Sequence, residues 1–399
     1  MKNTNILVSG AGIAGTTLAF WLARHGFTVT VVERAAEIRE GGYKVDLRGA
    51  ALDVVDRMGL LDDIRAVRTD VRGGSVVDAA GKRVASMDGD TFGGRVHGDA
   101  EITRGDLQRL LYRATANQVE YLFDDSIASI DETADDVRVT FGGGATRAFD
   151  LVLAGDGLHS ATRAMAFGSE DRFVRDLGYY VSIFSVPNHL GLDREELTYV
   201  GPGRTALIYS TAGDAGAKAM FLFASAPLEY DPRDRAQQEK LLADAYADEG
   251  WEVPRLIAAM PDAPDFYFDS LSQVDMDHWS RGRVALVGDA AYCASPASGQ
   301  GTSLALVGAY VLAGELAAAH GDHEIAFAAY EQRMRPFVRE NQKLGPANIK
   351  RMVMRTNGQV RMSMIMLSLI GRLPGKDKLM AKVIEPIHKA ATAIDLATY

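Results

Sequence analysis

Gly10, Gly12 and Gly15 stand together in the stretch GAGIAG, and Glu33 follows. The first glycine of such a set permits a tight turn, the second lets backbone approach a pyrophosphate, and the third allows close packing of helix on strand; Ala14 lies inside the same turn. A carboxylate at the position of Glu33 holds both ribose hydroxyls of an adenosine. It also disfavours a 2′-phosphate, so the bound dinucleotide is expected to be FAD or NAD rather than NADP. Two later segments repeat the logic of a strand that ends in an aspartate. DLVLAGDGLHSATR (150–163) reaches Asp156-Gly157 and continues to Ser160 and Arg163, and GDAAYCASPASGQG (288–301) carries Asp289, Pro296, Gly299 and Gly301. A helix starting at Thr302 would present unpaired N–H groups and a partial positive charge directly after that loop. Such an end suits the negative charge on the N1–C2=O side of a reduced flavin. The first turn would then hold the adenine end of a long cofactor, and Asp289 with its glycine loop the ribityl chain and ring.

The elements that must position these residues are readable on either side of each motif. NILVSG (5–10) and TVTVVER (28–34) are β-branched, strand-like runs, and the segment between them has helical spacing that stops at Gly26. RVALVGDAA (283–291) is again a buried strand, and TSLALVGAYVLAGELAAA (302–319) a helix.

With these motifs in this order, the chain resembles the FAD-dependent class A monooxygenases, the group that includes 4-hydroxybenzoate hydroxylase, polyketide-tailoring hydroxylases and tetracycline-inactivating enzymes. The resemblance covers about the first 330 residues. It implies a Rossmann-like α/β FAD-binding domain, a β-sheet substrate domain and C-terminal helices, with non-covalent FAD and NAD(P)H as a transient reductant. EITRGDLQRLL (101–111) is similar to the family's Arg-x-x-Leu element, which places Arg104 at the phosphate-ribityl region. GGYKVDLRG (41–49) resembles the stretch that passes the flavin ring, with Arg48 as the cofactor-side candidate, and Arg34 follows Glu33 in the adenosine motif. The chain departs from the family pattern at Tyr292, where many relatives have histidine, and at Ser303 and Gly308, where the family helix carries Asn and Asp. Cys293 reads as a buried small thiol rather than a covalent flavin anchor.

The implied reaction hydroxylates an electron-rich carbon of a bulky aromatic or polyketide-like molecule with O₂, through a C4a-hydroperoxyflavin. The flavin carries that chemistry, so no side chain is assigned as acid, base or nucleophile. Strand-like segments at 179–187, 196–210 and 217–227 would form the wall of an apolar cavity, with Tyr209, Phe221 and Phe223 as substrate-side candidates. The expected division is an FAD-binding domain from 1–75, 101–175 and 275–330, a substrate domain from 76–100 and 176–274, and a helical segment from 331–399. A flavin dehydrogenase or reductase on the same fold, and a non-catalytic flavin-binding module, stay open as alternatives.

The bulk properties agree with this reading. The chain has 399 residues, 47% apolar and 24% charged, enough for two domains with sizeable cores. A single cysteine excludes disulfide-relay chemistry, and the scattered histidines show no metal-ligand spacing. The run Met362–Gly371 is too short to span a membrane, and no signal peptide precedes Ile6, so a cytoplasmic protein is expected. The net charge of −10 is uneven. From Arg333 to Lys382 twelve Lys or Arg face two acids, leaving about −20 for the rest. Without aromatic-interleaved basic clusters this is expected to be a helical segment docking on the acidic body, with no nucleic-acid partner and no stable membrane association.

Overall fold

The apolar, β-branched runs beside the three motifs pair with one another. In the computed structural model, which describes residues 1–38, 42–96, 98–370 and 376–399, they form a six-stranded sheet in the order 280–281, 284–286, 151–154, 5–9, 28–33, 120–123. Gly41 of the flavin-ring stretch, and Gly371 and Arg372 of the tail, lie outside the described residues. All neighbours in this sheet run parallel except the short edge strand Ser280–Arg281. Ser9 is in register with Val32 on one side and Ala154 on the other, and Ala154 with Leu286. Because the strands are parallel and in register, their carboxyl ends share one edge, and the loops carrying Gly10, Glu33, Asp156 and Asp289 emerge there side by side. Ile6, Val8, Leu151 and Leu153 pack into the core that also holds the helices Ile13–Arg24 and Gly301–Ala318. The latter is long and apolar enough to cross a membrane by composition, but most of its length is buried inside the protein.

A second, seven-stranded sheet has the order 266–274, 174–186, 217–224, 204–209, 195–201, 73–77, 83–88. The 196–210 segment resolves into a hairpin turning at Pro202 and Gly203, the latter at φ +74°. Side chains alternate across this sheet with a period of two. One face, with Phe184, Ala206, Phe221 and Phe223, is covered by Leu242 of the helix Arg235–Ala245 and by Tyr246, Val253 and Leu256 beyond it. The other, with Tyr179, Val181, Ile183, Met220 and Leu222, meets Tyr43 and Tyr267, and Ile349 and Val353 at the end of the helix His323–Met352. Between the sheets lies an antiparallel pair, Lys44–Leu47 with Ala100–Thr103. The chain ends pinned to the first domain. The Ala397 carbonyl accepts from Arg57 and from the Tyr310 hydroxyl, and the Tyr399 hydroxyl donates to Glu315.

Candidate cofactor site

The first turn is built as its glycines require. Gly10 sits at φ +90°, where a Cβ would come within 2.9 Å of Asp156 Cα. A Cβ on Gly15 would lie 1.9 Å from the Gly10 carbonyl oxygen, whereas one on Gly12 would meet nothing within 4 Å. The turn is therefore closed behind Gly15 and open in front of Gly12. Gly12 is the N-cap of the helix Ile13–Arg24 and no side chain caps that end, so its first N–H groups point into the opening unpaired. The Glu33 carboxylate accepts from Ala11 N and Ala35 N, each at 2.8 Å, which fixes it beside the turn with lone pairs to spare. Arg34 is exposed and Ala14 is buried in the turn.

Asp156 accepts from Thr162 N at 3.0 Å and from the Ser160 hydroxyl, closing the start of the helix Ala161–Phe167. Gly157 is at φ +87°, and a Cβ there would meet no protein atom within 4 Å, which makes it a second open place on the same edge. Arg163, absent from the cofactor-contact candidates, is a clamp: fully buried, it donates to the Leu158 and Ala290 carbonyls and so ties the second motif to the third.

Asp289 and Arg104 are near enough for each to feel the other's charge. Burial pushes the Asp289 carboxyl up from its ordinary range, and the Arg104 guanidinium opposes that shift. Arg104 has no hydrogen-bond or ion-pair partner for its guanidinium among the described residues, and stands 6.0 Å from the Tyr43 ring centre. Gly299 is left-handed at φ +65° with open space around it, and a Cβ on Gly301 would stand 3.8 Å from Asp289 Oδ1. Pro296 opens the single 3₁₀ turn before Gly299, and Thr302 lies in the first turn of the helix Gly301–Ala318. Between them the Gln300 side chain is fully buried with neither amide atom partnered, and the buried hydroxyls of Ser295 and Ser303 are also unpaired. Unsatisfied amides and hydroxyls are costly in a protein interior. Together with the open positions at Gly12, Gly157 and Gly299, they fit a polar group seated along this edge, and a dinucleotide with a ribityl chain and a ring has the required length and hydrogen-bonding character.

Three expectations change. Arg48 is buried and spends its guanidinium on the Gly93 and Gly94 carbonyls and on Asp46, at 2.7, 2.9 and 2.8 Å; only Nε is left without a partner. Phe221 and Phe223 do not line the face toward the cofactor edge. They stack on Phe184 and Tyr180 beneath the 235–245 helix and pack edge-on against Tyr246, because strand alternation turns Met220 and Leu222 the other way. Tyr209 does share the inner face, in register with Glu196 and Lys218, and its hydroxyl accepts from Lys44 N.

Two arrangements escaped the sequence reading. Lys44, Asp46, Arg48, Arg95, Glu101 and Glu196 form a buried ionic network, with Lys44 Nζ 2.6 Å from Glu196, that fastens the strand Lys44–Leu47 to the second sheet. The one sequence signal is the alternation of Lys44, Asp46 and Arg48, which puts three charges on one face of a strand. The second is a link between the sheets: His159 is held by Glu170 at 2.8 Å and Asp269 at 3.2 Å, and hydrogen bonds to these carboxylates push its imidazole up to about 10.

The departures at Tyr292 and Gly308 are one feature. Tyr292 points away from Asp289 into the core, stacked at a tilt on Trp279, and its hydroxyl would lie 1.9 Å from a Cβ on Gly308. The tyrosine fills the volume that a side chain at 308 would need. Cys293 is buried with its thiol pushed well up by burial, which leaves it a poor nucleophile.

Removing Arg104 or Asp289 is therefore expected to release the cofactor, and removing the thiol is not. Arg104→Ala and Asp289→Ala should each lower FAD affinity roughly tenfold to a hundredfold, as charge-assisted hydrogen bonds worth about 1.5 to 3 kcal/mol are lost. Cys293→Ser should keep its flavin. Equal flavin absorbance per chain in all three purified variants would show that this edge does not hold the ribityl end.

Comparison with known proteins matches the same segments. A family model described as an FAD binding domain covers residues 3–185 and 265–343. A flavin-dependent monooxygenase of Legionella longbeachae is 44% identical over 344 residues, 86% of this chain and 88% of its own. An uncharacterized protein of Mycobacterium tuberculosis is 49% identical over 346 residues, covering 86% and 93%. Among solved structures, the tetracycline destructase Tet(51) superposes with a TM-score of 0.87 at 38% identity over 100% of both chains.

Proposed function

Because this chain belongs to the FAD-dependent monooxygenases, the class A flavoprotein hydroxylases, we propose that it inserts one oxygen atom of O₂ into a bulky, apolar aromatic or polyketide-like small molecule at the expense of NAD(P)H. The observation that supports this most directly is the alignment of Gly10–Gly15, Glu33, Asp156 and Asp289 along one edge of the parallel sheet, with Arg104 near enough to act on the Asp289 charge. The second sheet's apolar inner face meets Tyr43, the residue over which Arg104 stands.

In this reading Glu33 and the Gly10–Gly15 turn hold the adenosine and pyrophosphate. Arg104, Asp289 and the Gly299–Thr302 segment hold the ribityl chain and ring. The first turn of the 301–318 helix, which no side chain caps, would supply N–H donors to the electron-rich end of such a ring. FAD held by these residues would supply the redox chemistry, hydride acceptance and O₂ activation. The protein's part is to orient substrate and exclude water. Val181, Ile183, Met220 and Leu222 offer the substrate an apolar wall, Tyr209 a hydroxyl at its polar margin, and Tyr43 and Tyr267 aromatic edges. These replace Phe221 and Phe223 as substrate-side residues.

The FAD-binding unit comprises about 1–72, 101–173 and 275–330, and the substrate unit 73–100 and 174–274, since the strands 73–77 and 174–186 belong whole to the second sheet; the 331–399 helices brace both. The enzyme works in the cytoplasm. NAD(P)H has no glycine turn of its own and docks transiently.

Incubation with NAD(P)H, ¹⁸O₂ and a panel of phenols, quinones and multi-ring polyketides tests the reading. Product carrying a single labelled atom is the expected result. Label found only in peroxide or water across the panel would indicate an oxidase or reductase. Turnover of small benzoates but not of multi-ring phenols would refute the assignment of a bulky substrate while leaving the reaction class intact.

A further inference from the structure

The helix Asn357–Ile370 runs along the strands 83–88 and 195–201 at the far side of the second sheet, and it carries two apolar stripes. Val360, Met364 and Leu367 are half-buried. Met362, Ile365, Met366 and Leu369 lie on another face and are 60%, 47%, 53% and 54% exposed. Their spacing of i, i+3, i+4, i+7 makes one continuous stripe, and a soluble surface seldom presents four large apolar side chains in a row without a partner for them.

The charge around the stripe identifies the partner. Between Glu340 and Asp377 the sequence contains no acidic residue, while Lys343, Lys350, Arg351, Arg355, Arg361, Arg372 and Lys376 are all basic. The earlier cations of the tail do dock on the body: Arg333 pairs with Glu315, and Arg335 donates to the Met276 and Asp277 carbonyls. Lys350, Arg351, Arg355 and Arg361 are exposed, and among the described residues none has a carboxylate partner; Arg355 covers the Tyr179 ring at 5.3 Å and donates to its hydroxyl at 3.4 Å. Arg361 directly flanks the stripe, where a long side chain can keep its charge at a polar boundary while the helix buries its apolar face.

We propose that this helix docks the enzyme reversibly on an anionic lipid surface, lying in the plane of the interface with Met362, Ile365, Met366 and Leu369 inserted among the acyl chains and the exposed Lys and Arg residues among the headgroups. A basic amphipathic helix binds such a surface through both apolar burial and electrostatic attraction. A second copy of the chain is the poorer partner, because a two-fold contact across the stripe brings together two cation-rich segments with no acid on either to neutralise the charge. The contact is peripheral: a helix of 14 residues lies on a bilayer and does not cross it.

Co-sedimentation of the holoenzyme with vesicles tests this, comparing phosphatidylcholine alone with phosphatidylcholine containing phosphatidylglycerol. Binding is expected only to the anionic vesicles and should weaken with added salt. The double variant Ile365→Asp with Met366→Asp should lose it roughly tenfold or more, and Arg361→Glu roughly fivefold or more. Flavin content equal to that of the parent establishes that the variants are folded, since none of these positions touches the cofactor edge. Absence of binding to anionic vesicles, equal binding to both kinds, or binding unchanged by the double variant would overturn the proposal. So would a dimer in sedimentation equilibrium that Ile365→Asp dissociates, which would assign the stripe to a second copy.

Discussion

Gly15→Ala is expected to cost the protein its fold around the first turn, and Gly12→Ala only its flavin. The Cβ added at 15 would stand 1.9 Å from the Gly10 carbonyl oxygen, 3.0 Å from the Gly10 carbonyl carbon and 3.3 Å from Val8 Cγ1. The first two are backbone atoms of the turn itself, in the loop that connects the central strand to its helix, so no side-chain rotation relieves the overlap. Overpacking that moves backbone costs about 3 kcal/mol, at the upper end of what one added methyl does in a core. At position 12 the conformation is extended, at φ −71° and ψ −177°, which alanine adopts freely, and the added methyl touches no protein atom within 4 Å. The space it enters is the space through which backbone would approach a pyrophosphate. Gly12→Ala should therefore melt with the parent when flavin is removed, yet bind FAD roughly tenfold or more weakly. Thermal melts of the apo forms beside flavin titrations separate the two. If both variants melt early, or if Gly12→Ala binds FAD as the parent does, the opening in front of Gly12 is not the cofactor's.

The second large effect is expected far from that edge. Gly308→Ala places a Cβ 1.9 Å from the Tyr292 hydroxyl and 3.4 Å from Met334 Cε. The Tyr292 ring cannot swing aside. It is 1% exposed, tilted against Trp279, with its hydroxyl 3.0 Å from that of Tyr330, which in turn lies 3.0 Å from the Leu286 carbonyl. The substitution should destabilise by about 2 to 3 kcal/mol. Tyr292→Phe alone should cost about 1 kcal/mol for the lost hydrogen bond. Made together the two should cost less than their sum, by about 1 kcal/mol or more, because deleting the hydroxyl removes the atom nearest the new methyl. Relief is incomplete, since Tyr292 Cζ stays 3.1 Å from the added Cβ. Flavin content should follow the parent in Tyr292→Phe. Strict additivity would mean that Tyr292 and Gly308 are independent departures, and loss of flavin in Tyr292→Phe would mean that the ring reaches the cofactor after all.

The motifs were legible because each is a local solution to a local demand. A turn that must reach φ +90° and leave no room for a Cβ at its third glycine gives glycine little competition, and a strand that must deliver a carboxylate to a sheet edge shows an apolar run ending in Glu33 or before Asp156 and Asp289. What lay beyond reading were facts about partners. Phe221 and Leu222 are both apolar and adjacent, and nothing in their types says which one will face helix 235–245 and which Tyr43; that depends on which side of the sheet the later helices cover.

The sequence by itself thus determined the fold class, the cofactor and the order of the motifs along the sheet edge, because glycine spacing, strand composition and terminal carboxylates act within a few residues of one another. Only the tertiary structure decided that Arg48 serves the 93–94 loop, that Tyr292 fills the place of a side chain at 308, that six buried charges from 44–48, 95–101 and 196 meet in one network, and that the 357–370 helix turns a second apolar stripe outward. Each of these brings together residues far apart in the chain. Their energies come from burial and from the exclusion of water between surfaces that do not exist until the chain has folded.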